Sequence, residues 1–109
     1  MYLPPAFRED DLAALHAMIR SVRLANLVTA TAEGMAATPL PLFLVADEGP
    51  HGTLYGHVAR ANPHWQLRST GDALALFQGP DAYVTPSWYA SKREHGKVVP
   101  TWNYLAVHA

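Results

Sequence analysis

Two prolines inside one apolar run constrain the fold of this chain most. Pro39 and Pro41 stand two residues apart in MAATPLPLFLV, residues 35–45, which otherwise has the composition of a β-strand. Residues i and i+2 of a strand direct their N–H groups toward the same neighbour, and proline has no N–H to donate. One side of this strand therefore lacks two donors. That side is expected at a sheet edge, at a bulge, or against something other than a strand.

Size and composition allow one small globular domain. The chain has 109 residues, 50% of them hydrophobic and 16% charged, which is too apolar and too weakly charged for intrinsic disorder. At 11.9 kDa, a folded chain exposes about 6,000 Å² against about 17,000 Å² when extended, so about 65% of its surface can be buried. The chain has no cysteine, which excludes disulfides, thiolate zinc sites and cysteine nucleophiles. Because no apolar run approaches the ~18 residues of a membrane span and no signal peptide is evident, we expect a cytoplasmic protein without a membrane partner.

The charge distribution argues against nucleic acid as a direct partner. Eight Lys and Arg residues stand against nine Asp and Glu, for a net charge of -1. The only basic cluster, Lys92–Lys97, contains Glu94 and is best interpreted as a solvated loop. DNA-binding domains normally present a basic face, because neutralising phosphates dominates their affinity. The sequence alone therefore gives no support for DNA binding.

Hydrophobic spacing predicts a mainly β protein of the α+β class. Apolar residues three and four apart predict an amphipathic helix over about Asp10–Val22, and Asn62-Pro63 predicts the start of a short helix over about Pro63–Ser69. Gly79-Pro80-Asp81 is interpreted as a turn and Ser87–Gly96 as a loop. Six strands are predicted, over Ala25–Thr31, Met35–Val45, Thr53–Ala59, Ala73–Gln78, Ala82–Pro86 and Val98–His108. Their short connections favour largely antiparallel pairing and a small barrel.

Few residues suggest chemistry on their own. The six histidines are scattered, and His57 and His64 have no carboxylate close by in sequence, so we predict no metal site. No catalytic residue is assigned, and His57 and Tyr89 are the only acid or base candidates. Aromatic side chains with polar tips are concentrated in the second half of the chain, where they suit a flat ligand, a subunit interface or the plug of a barrel end. They are Trp65, Tyr83, Trp88, Tyr89, Trp102 and Tyr104.

Arg60 is an isolated cation between a predicted strand end and the Asn62-Pro63 helix start. The free N–H groups of a helix start and an arginine beside them can bind a phosphate. Two alternatives stay open: a solvated arginine, or a partner for Asp47 or Glu48 across the hairpin.

Four segments, taken in order, resemble the motifs of one known family. They are ATPLPLF, GHVARANPHW, FQGPDAYVTPSWY and VPTWNY, and the opening MYLPPAF is similar as well. Over essentially its whole length the chain resembles the PaiB-type family, whose members are called FMN-binding negative transcriptional regulators. The resemblance implies a split β-barrel related to those of pyridoxamine-phosphate oxidases and flavin reductases, which form homodimers with FMN at the subunit interface. Family members are longer, so we expect residues 1–109 to be a single FMN-binding domain, as a fragment or a shortened form.

The resemblance also implies which residues bind FMN. His57, Ala59, Arg60 and Asn62 correspond to the strand-end segment expected near the flavin phosphate. The remaining candidates, beside the ring or in the pocket and dimer contact, are Thr38, Pro39, Trp88, Tyr89 and Trp102. Three hypotheses follow: an FMN-binding dimer with a regulatory role, an FMN-dependent oxidoreductase on the same barrel, or a non-enzymatic dimeric module that has lost its flavin site. DNA as a partner comes from the family label alone.

Overall fold

The computed structural model describes residues 1–109, apart from the side chain of His95, and it is mainly β as predicted. Six strands are formed: β1 (Leu24–Thr31), β2 (Gly34–Pro41), β3 (Phe43–Val45), β4 (Thr53–Tyr55), β5 (Leu74–Val84) and β6 (Thr101–His108). All paired strands run antiparallel, in a four-stranded sheet of order β2-β1-β5-β6 and a separate β3-β4 hairpin. The helices are α1 (Leu12–Val22) and α2 (Ala90–His95), with 3₁₀ turns at Pro5–Phe7, Pro63–Gln66 and Pro86–Trp88. None of the described helices is long and apolar enough to cross a membrane.

Helix α1 forms where the spacing predicted it, because its start is capped and one face is apolar. The Asp11 carboxylate accepts hydrogen bonds from the N–H groups of Ala13 and Ala14, at 3.4 and 3.1 Å. Ile19 and His16 are buried on the face that packs against the sheets. The helix ends at Arg23, whose positive φ of 59° turns the chain directly into β1.

The paired prolines lie on an edge strand, which confirms the prediction made from their spacing. Strand β2 pairs with β1 alone, with Pro39 opposite Asn26 and Pro41 opposite Leu24. The prediction of one strand over Met35–Val45 was wrong, because the run divides at Leu42. The Leu42 N–H donates to the Arg23 carbonyl oxygen at 2.9 Å, and the chain then enters β3 in the other sheet.

Strand β5 corrects a second prediction, the turn at Gly79-Pro80-Asp81. Gln78 pairs with Ala106 and Asp81 with Tyr104, so β5 advances three residues where β6 advances two. This extra residue is a β-bulge, which lets Pro80 stay inside a strand although it has no N–H to donate to the ladder. The segments predicted as two strands, Ala73–Gln78 and Ala82–Pro86, are therefore one.

Several other elements are shorter than predicted. Strand β4 ends at Tyr55 instead of Ala59, and β6 begins at Thr101, directly after Pro100. The predicted Ser87–Gly96 loop contains α2, and the predicted helix Pro63–Ser69 is a 3₁₀ turn that ends at Gln66. Six strands were both predicted and found because one predicted strand is divided and two others are joined.

The core lies where β1, β5 and β6 meet α1 and β3. Phe77 on β5 is completely buried at its centre, and the other buried residues of this cluster are Ile19, Ala25, Leu44, Ala75 and Val107. Among the described strands, no ladder joins the two sheets, so pairing within this chain does not close a barrel.

Beyond the bulge, β5 and β6 form an arm, defined here as residues 81–104. The Asp81–Val84 part of β5 pairs with β6 only. The Pro86–Trp88 3₁₀ turn and helix α2 lie in the connection between these two strands. The radius of gyration is 18.2 Å and the molecule measures 58 × 34 × 22 Å, whereas a compact chain of this length has a radius of about 13 Å. The accessible surface is 8374 Å², against about 6,000 Å² for a compact monomer of this mass. A single copy thus leaves unusually much surface exposed.

Candidate functional site

An open groove of about 500 Å³ lies where the chain leaves β4. Its volume falls within the roughly 300–1,000 Å³ typical of small-molecule sites. The residues that line it are Gly56, His57, Val58, Arg60 and Trp65. The groove therefore presents a guanidinium, an imidazole and an indole to solvent within one short segment.

Gly56, which lines the groove, lies in close contact with the junction between β2 and β3. A Cβ atom there would lie 2.5 Å from Leu42 Cδ2, 3.1 Å from Leu40 Cδ1 and 3.1 Å from the Pro41 carbonyl oxygen. The chain leaving β4 thus passes directly against the β2–β3 junction. Its course sets the position of the residues that follow.

The backbone around Arg60 is fixed by two hydrogen bonds. The Asn62 N–H donates to the Ala59 carbonyl oxygen at 2.8 Å, which closes a tight turn. The Trp65 indole N–H donates to the Arg60 carbonyl oxygen at 3.0 Å. The Arg60 side chain itself is exposed beside the groove.

The ion pair of Arg60 with Asp47 or Glu48, one of the alternatives, does not form. The one ion pair among the described side chains is between Arg8 and Asp10. Glu48 instead accepts a hydrogen bond from the Tyr55 hydroxyl. That bond to a carboxylate, with a smaller contribution from desolvation, raises the pKa of Tyr55 above its ordinary value. Arg60 is left available for an external anion.

Behind the groove, a hydrogen-bonded cluster ties the 3₁₀ turn to the sheet. The Asn62 amide donates to the Thr38 hydroxyl at 3.2 Å and its carbonyl accepts from the His64 N–H at 2.9 Å. The two nitrogens of the buried His64 ring contact two hydroxyls: Nδ1 lies 2.8 Å from Thr38 Oγ1 and Nε2 lies 2.9 Å from Thr29 Oγ1. Thr29 is on β1 and Thr38 on β2, so this cluster connects the groove segment to two strands.

The helix start at Asn62-Pro63 differs from its predicted role. It opens a 3₁₀ turn of four residues, and its first available N–H, that of His64, already donates to Asn62. A single turn aligns few peptide dipoles, and Pro63 has no N–H. The positive charge that lines the groove is therefore the Arg60 guanidinium.

The structure brings part of the predicted site together. His57 and Arg60 line the groove, Ala59 forms the turn beside them, and Asn62 and Thr38 lie in the cluster behind it. Pro39 follows on the exposed edge strand.

Three predicted site residues lie elsewhere, on the arm. Trp88 is 74% exposed and Tyr89 follows it at the end of the Pro86–Trp88 turn. Trp102 is 59% exposed and packs against Tyr83, with ring centroids 5.4 Å apart. None of the three is among the residues that line the groove.

Sequence reasoning missed the role of His64 and Thr29. They are 35 residues apart, and His64 was grouped with scattered histidines. The available signal was the Asn62-Pro63 cap, because a tight turn that begins there places the next two side chains on different sides. His64 is buried and Trp65 is exposed accordingly.

Comparison with known proteins identifies the family of this chain. The family model described as "Putative FMN-binding domain" matches residues 1–109. This chain belongs to that FMN-binding family, and it is of the PaiB type. It is 38% identical over 110 residues to the Bacillus subtilis "Protease synthase and sporulation protein PAI 2", which covers 99% of this chain. FMN is the cofactor of the family.

Fungal relatives are similar as well. The Saccharomyces cerevisiae "Uncharacterized protein YKL070W" is 40% identical over 77 residues, which cover 69% of this chain and 45% of that protein. The Emericella nidulans "Uncharacterized protein AN0679" is 33% identical over 136 residues, which cover the whole of this chain and 54% of that protein. Together with the 50% of PAI 2 that is matched, these values show that the chain spans about half the length of the curated relatives.

Proposed function

We propose that the chain binds FMN in the groove beside β4, with the Arg60 guanidinium on the phosphate and the Trp65 indole beside the ring system. The observation that carries this proposal is the groove itself, where an unpaired arginine and an exposed indole line the same open space. FMN has a dianionic phosphate and a flat aromatic ring, and these side chains match both. Thr38, Asn62 and Ala59 support the segment that carries them, and Pro39 borders it on β2.

We further propose that two copies form a symmetric homodimer in which the arm of each covers the groove of the other. The surface of 8374 Å² exceeds that of a compact monomer by about 2,400 Å², an area of the size that obligate dimers bury. The exposed aromatic rings of Trp88, Tyr89 and Trp102 provide anchors for such a contact. These residues do not line the groove of their own chain. In the proposed dimer they contact the groove of the other chain.

An oxidoreductase activity is the second candidate, and the position of His57 favours it. When bound, FMN supplies hydride transfer. His57 is exposed on the groove wall, where its imidazole can give a proton to, or take one from, a substrate beside the ring. Tyr89, the other acid or base candidate, can take part only through the arm of a second copy. Oxidation of NAD(P)H by the flavin-loaded protein, lost in His57→Ala, distinguishes an enzyme from a binding module.

A negative regulatory role, implied by the resemblance, also remains a proposal. The net charge of -1 opposes direct DNA binding by this chain. We therefore propose that a regulatory role would act through FMN binding and dimerisation, without direct contact between this chain and DNA. A cytoplasmic location is carried over from the sequence as a prediction.

The test is a titration of FMN against the purified protein, followed by flavin fluorescence. A charge-assisted hydrogen bond contributes about 1.5–3 kcal/mol, so Arg60→Ala should weaken FMN binding by roughly 10- to 150-fold. Arg68→Ala is the matched control, since Arg68 is exposed just after the 3₁₀ turn and does not line the groove. Equal affinities for the two variants would contradict the assignment, and the absence of any flavin binding would favour a module that has lost its site.

A further inference from the structure

We propose that His64 is the positioning residue of this site: its buried ring holds the 3₁₀ turn against β1 and β2 and thereby keeps Arg60 at the groove. The inference rests on the proposed function, since it concerns how the same arginine is presented to FMN. It assigns no contact with the ligand to His64, which is only 9% exposed and does not line the groove.

The hydrogen bonds of His64 leave it no role at the surface. Nδ1 lies 2.8 Å from Thr38 Oγ1 and Nε2 lies 2.9 Å from Thr29 Oγ1, so both ring nitrogens are occupied inside the protein. A neutral imidazole has one donor and one acceptor, and a threonine hydroxyl can serve either. The ring can therefore satisfy both hydroxyls at once and bridge two neighbouring strands.

The connection from His64 to Arg60 passes through the adjacent residue. His64 and Trp65 belong to one tight 3₁₀ turn, with the imidazole buried and the indole exposed. The indole N–H donates to the Arg60 carbonyl oxygen at 3.0 Å. Each of these contacts holds the next one in place. The His64 ring on the sheet therefore holds the turn, the turn holds the Trp65 indole, and the indole holds the backbone of Arg60.

Asn62 makes the same connection from the other side. It caps the His64 N–H and donates to the Thr38 hydroxyl that the His64 ring contacts. Without the imidazole, the bond from Asn62 to Thr38 is the remaining side-chain bond of this cluster to the sheet. The turn can then shift and move the Arg60 backbone relative to the groove, although the guanidinium charge remains.

The experiment is a double-mutant cycle on FMN affinity. His64→Ala should weaken binding by tenfold or more, close to the effect of Arg60→Ala, since its loss removes the geometry of one charge-assisted contact. In the His64→Ala background, adding Arg60→Ala should change the affinity little, because the arginine no longer contributes. A role in stability alone would lower the melting temperature but leave the full effect of Arg60→Ala in the folded variant, and that additive result overturns the proposal.

Thr29 supplies a second pair of variants should His64→Ala fail to fold. Thr29→Val removes only the hydroxyl that contacts Nε2 of His64. Since this contact also holds the ring, the substitution should weaken FMN binding, as His64→Ala does. Thr29→Ser keeps a hydroxyl and should restore the affinity, whereas equal affinities for the two variants would overturn the proposal. If Arg60→Ala has no effect in the otherwise unchanged protein, the proposed phosphate contact fails instead, so the two failures are distinguishable.

Discussion

Truncating one aromatic ring of the arm should dissociate the proposed dimer. Trp102 is 59% exposed in a single chain and packs against Tyr83 with the two rings tilted by 55°, on a two-stranded arm that extends from the core. A buried tryptophan at the centre of an interface typically contributes 2 kcal/mol or more, so Trp102→Ala should weaken dimerisation by about 30-fold or more. Sedimentation velocity over a micromolar concentration series measures this shift directly.

The loss of the Tyr83 contact within one chain must be separated from this effect. That cross-strand pair contributes about 0.2–1 kcal/mol, and the melting temperature of the monomeric variant reports it. Tyr2→Ala is the control, because Tyr2 is even more exposed but belongs to the N-terminal segment and not to the arm. A wild-type chain that sediments as a monomer at micromolar concentration, or an unchanged dissociation constant for Trp102→Ala, would refute the reasoning.

Three further outcomes are expected. Gly56→Ala should destabilise the fold by about 1–3 kcal/mol through overpacking against Leu42, whereas Gly71→Ala, which meets no atom within 4 Å, should stay within about 0.5 kcal/mol; chemical denaturation compares them. The raised pKa of Tyr55 favours the folded state below the pKa of the unfolded tyrosine, and this contribution disappears as pH rises through the folded value. Glu48→Gln should therefore lower the pKa of Tyr55 in an ultraviolet titration, and an unchanged titration would show that the Glu48 carboxylate is not its cause. In gel shifts at physiological salt we expect at most weak, salt-sensitive DNA association, and nanomolar sequence-dependent binding would show that the surface is misread.

Local chemistry explains which parts of the fold could be predicted. The α1 helix and the edge position of β2 follow from spacing and from missing N–H groups, which act within a few residues. The division at Leu42 could not be predicted, because it depends on a hydrogen bond to Arg23 across the chain. The bulge at Gly79-Pro80 was mistaken for a turn, since both structures tolerate the same residues.

The candidate site shows the same limit. Arg60 stands out in the sequence as an isolated cation, and in the structure it lines the groove. The contribution of Gly56 depends on how closely the chain passes Leu42, and that of His64 depends on Thr29, 35 residues away. Contacts of this kind are set by tertiary packing and have no signature in a local pattern.

The most direct test of the proposed site compares FMN with riboflavin, which lacks the phosphate, on the wild-type protein and on Arg60→Ala. If Arg60 binds the phosphate in the groove, the substitution should weaken FMN binding by roughly 10- to 150-fold and leave riboflavin affinity unchanged. Titration calorimetry or flavin fluorescence gives the four dissociation constants. An equal loss for both ligands would mean that Arg60 acts without contacting the phosphate, and no loss for either would mean that FMN binds elsewhere.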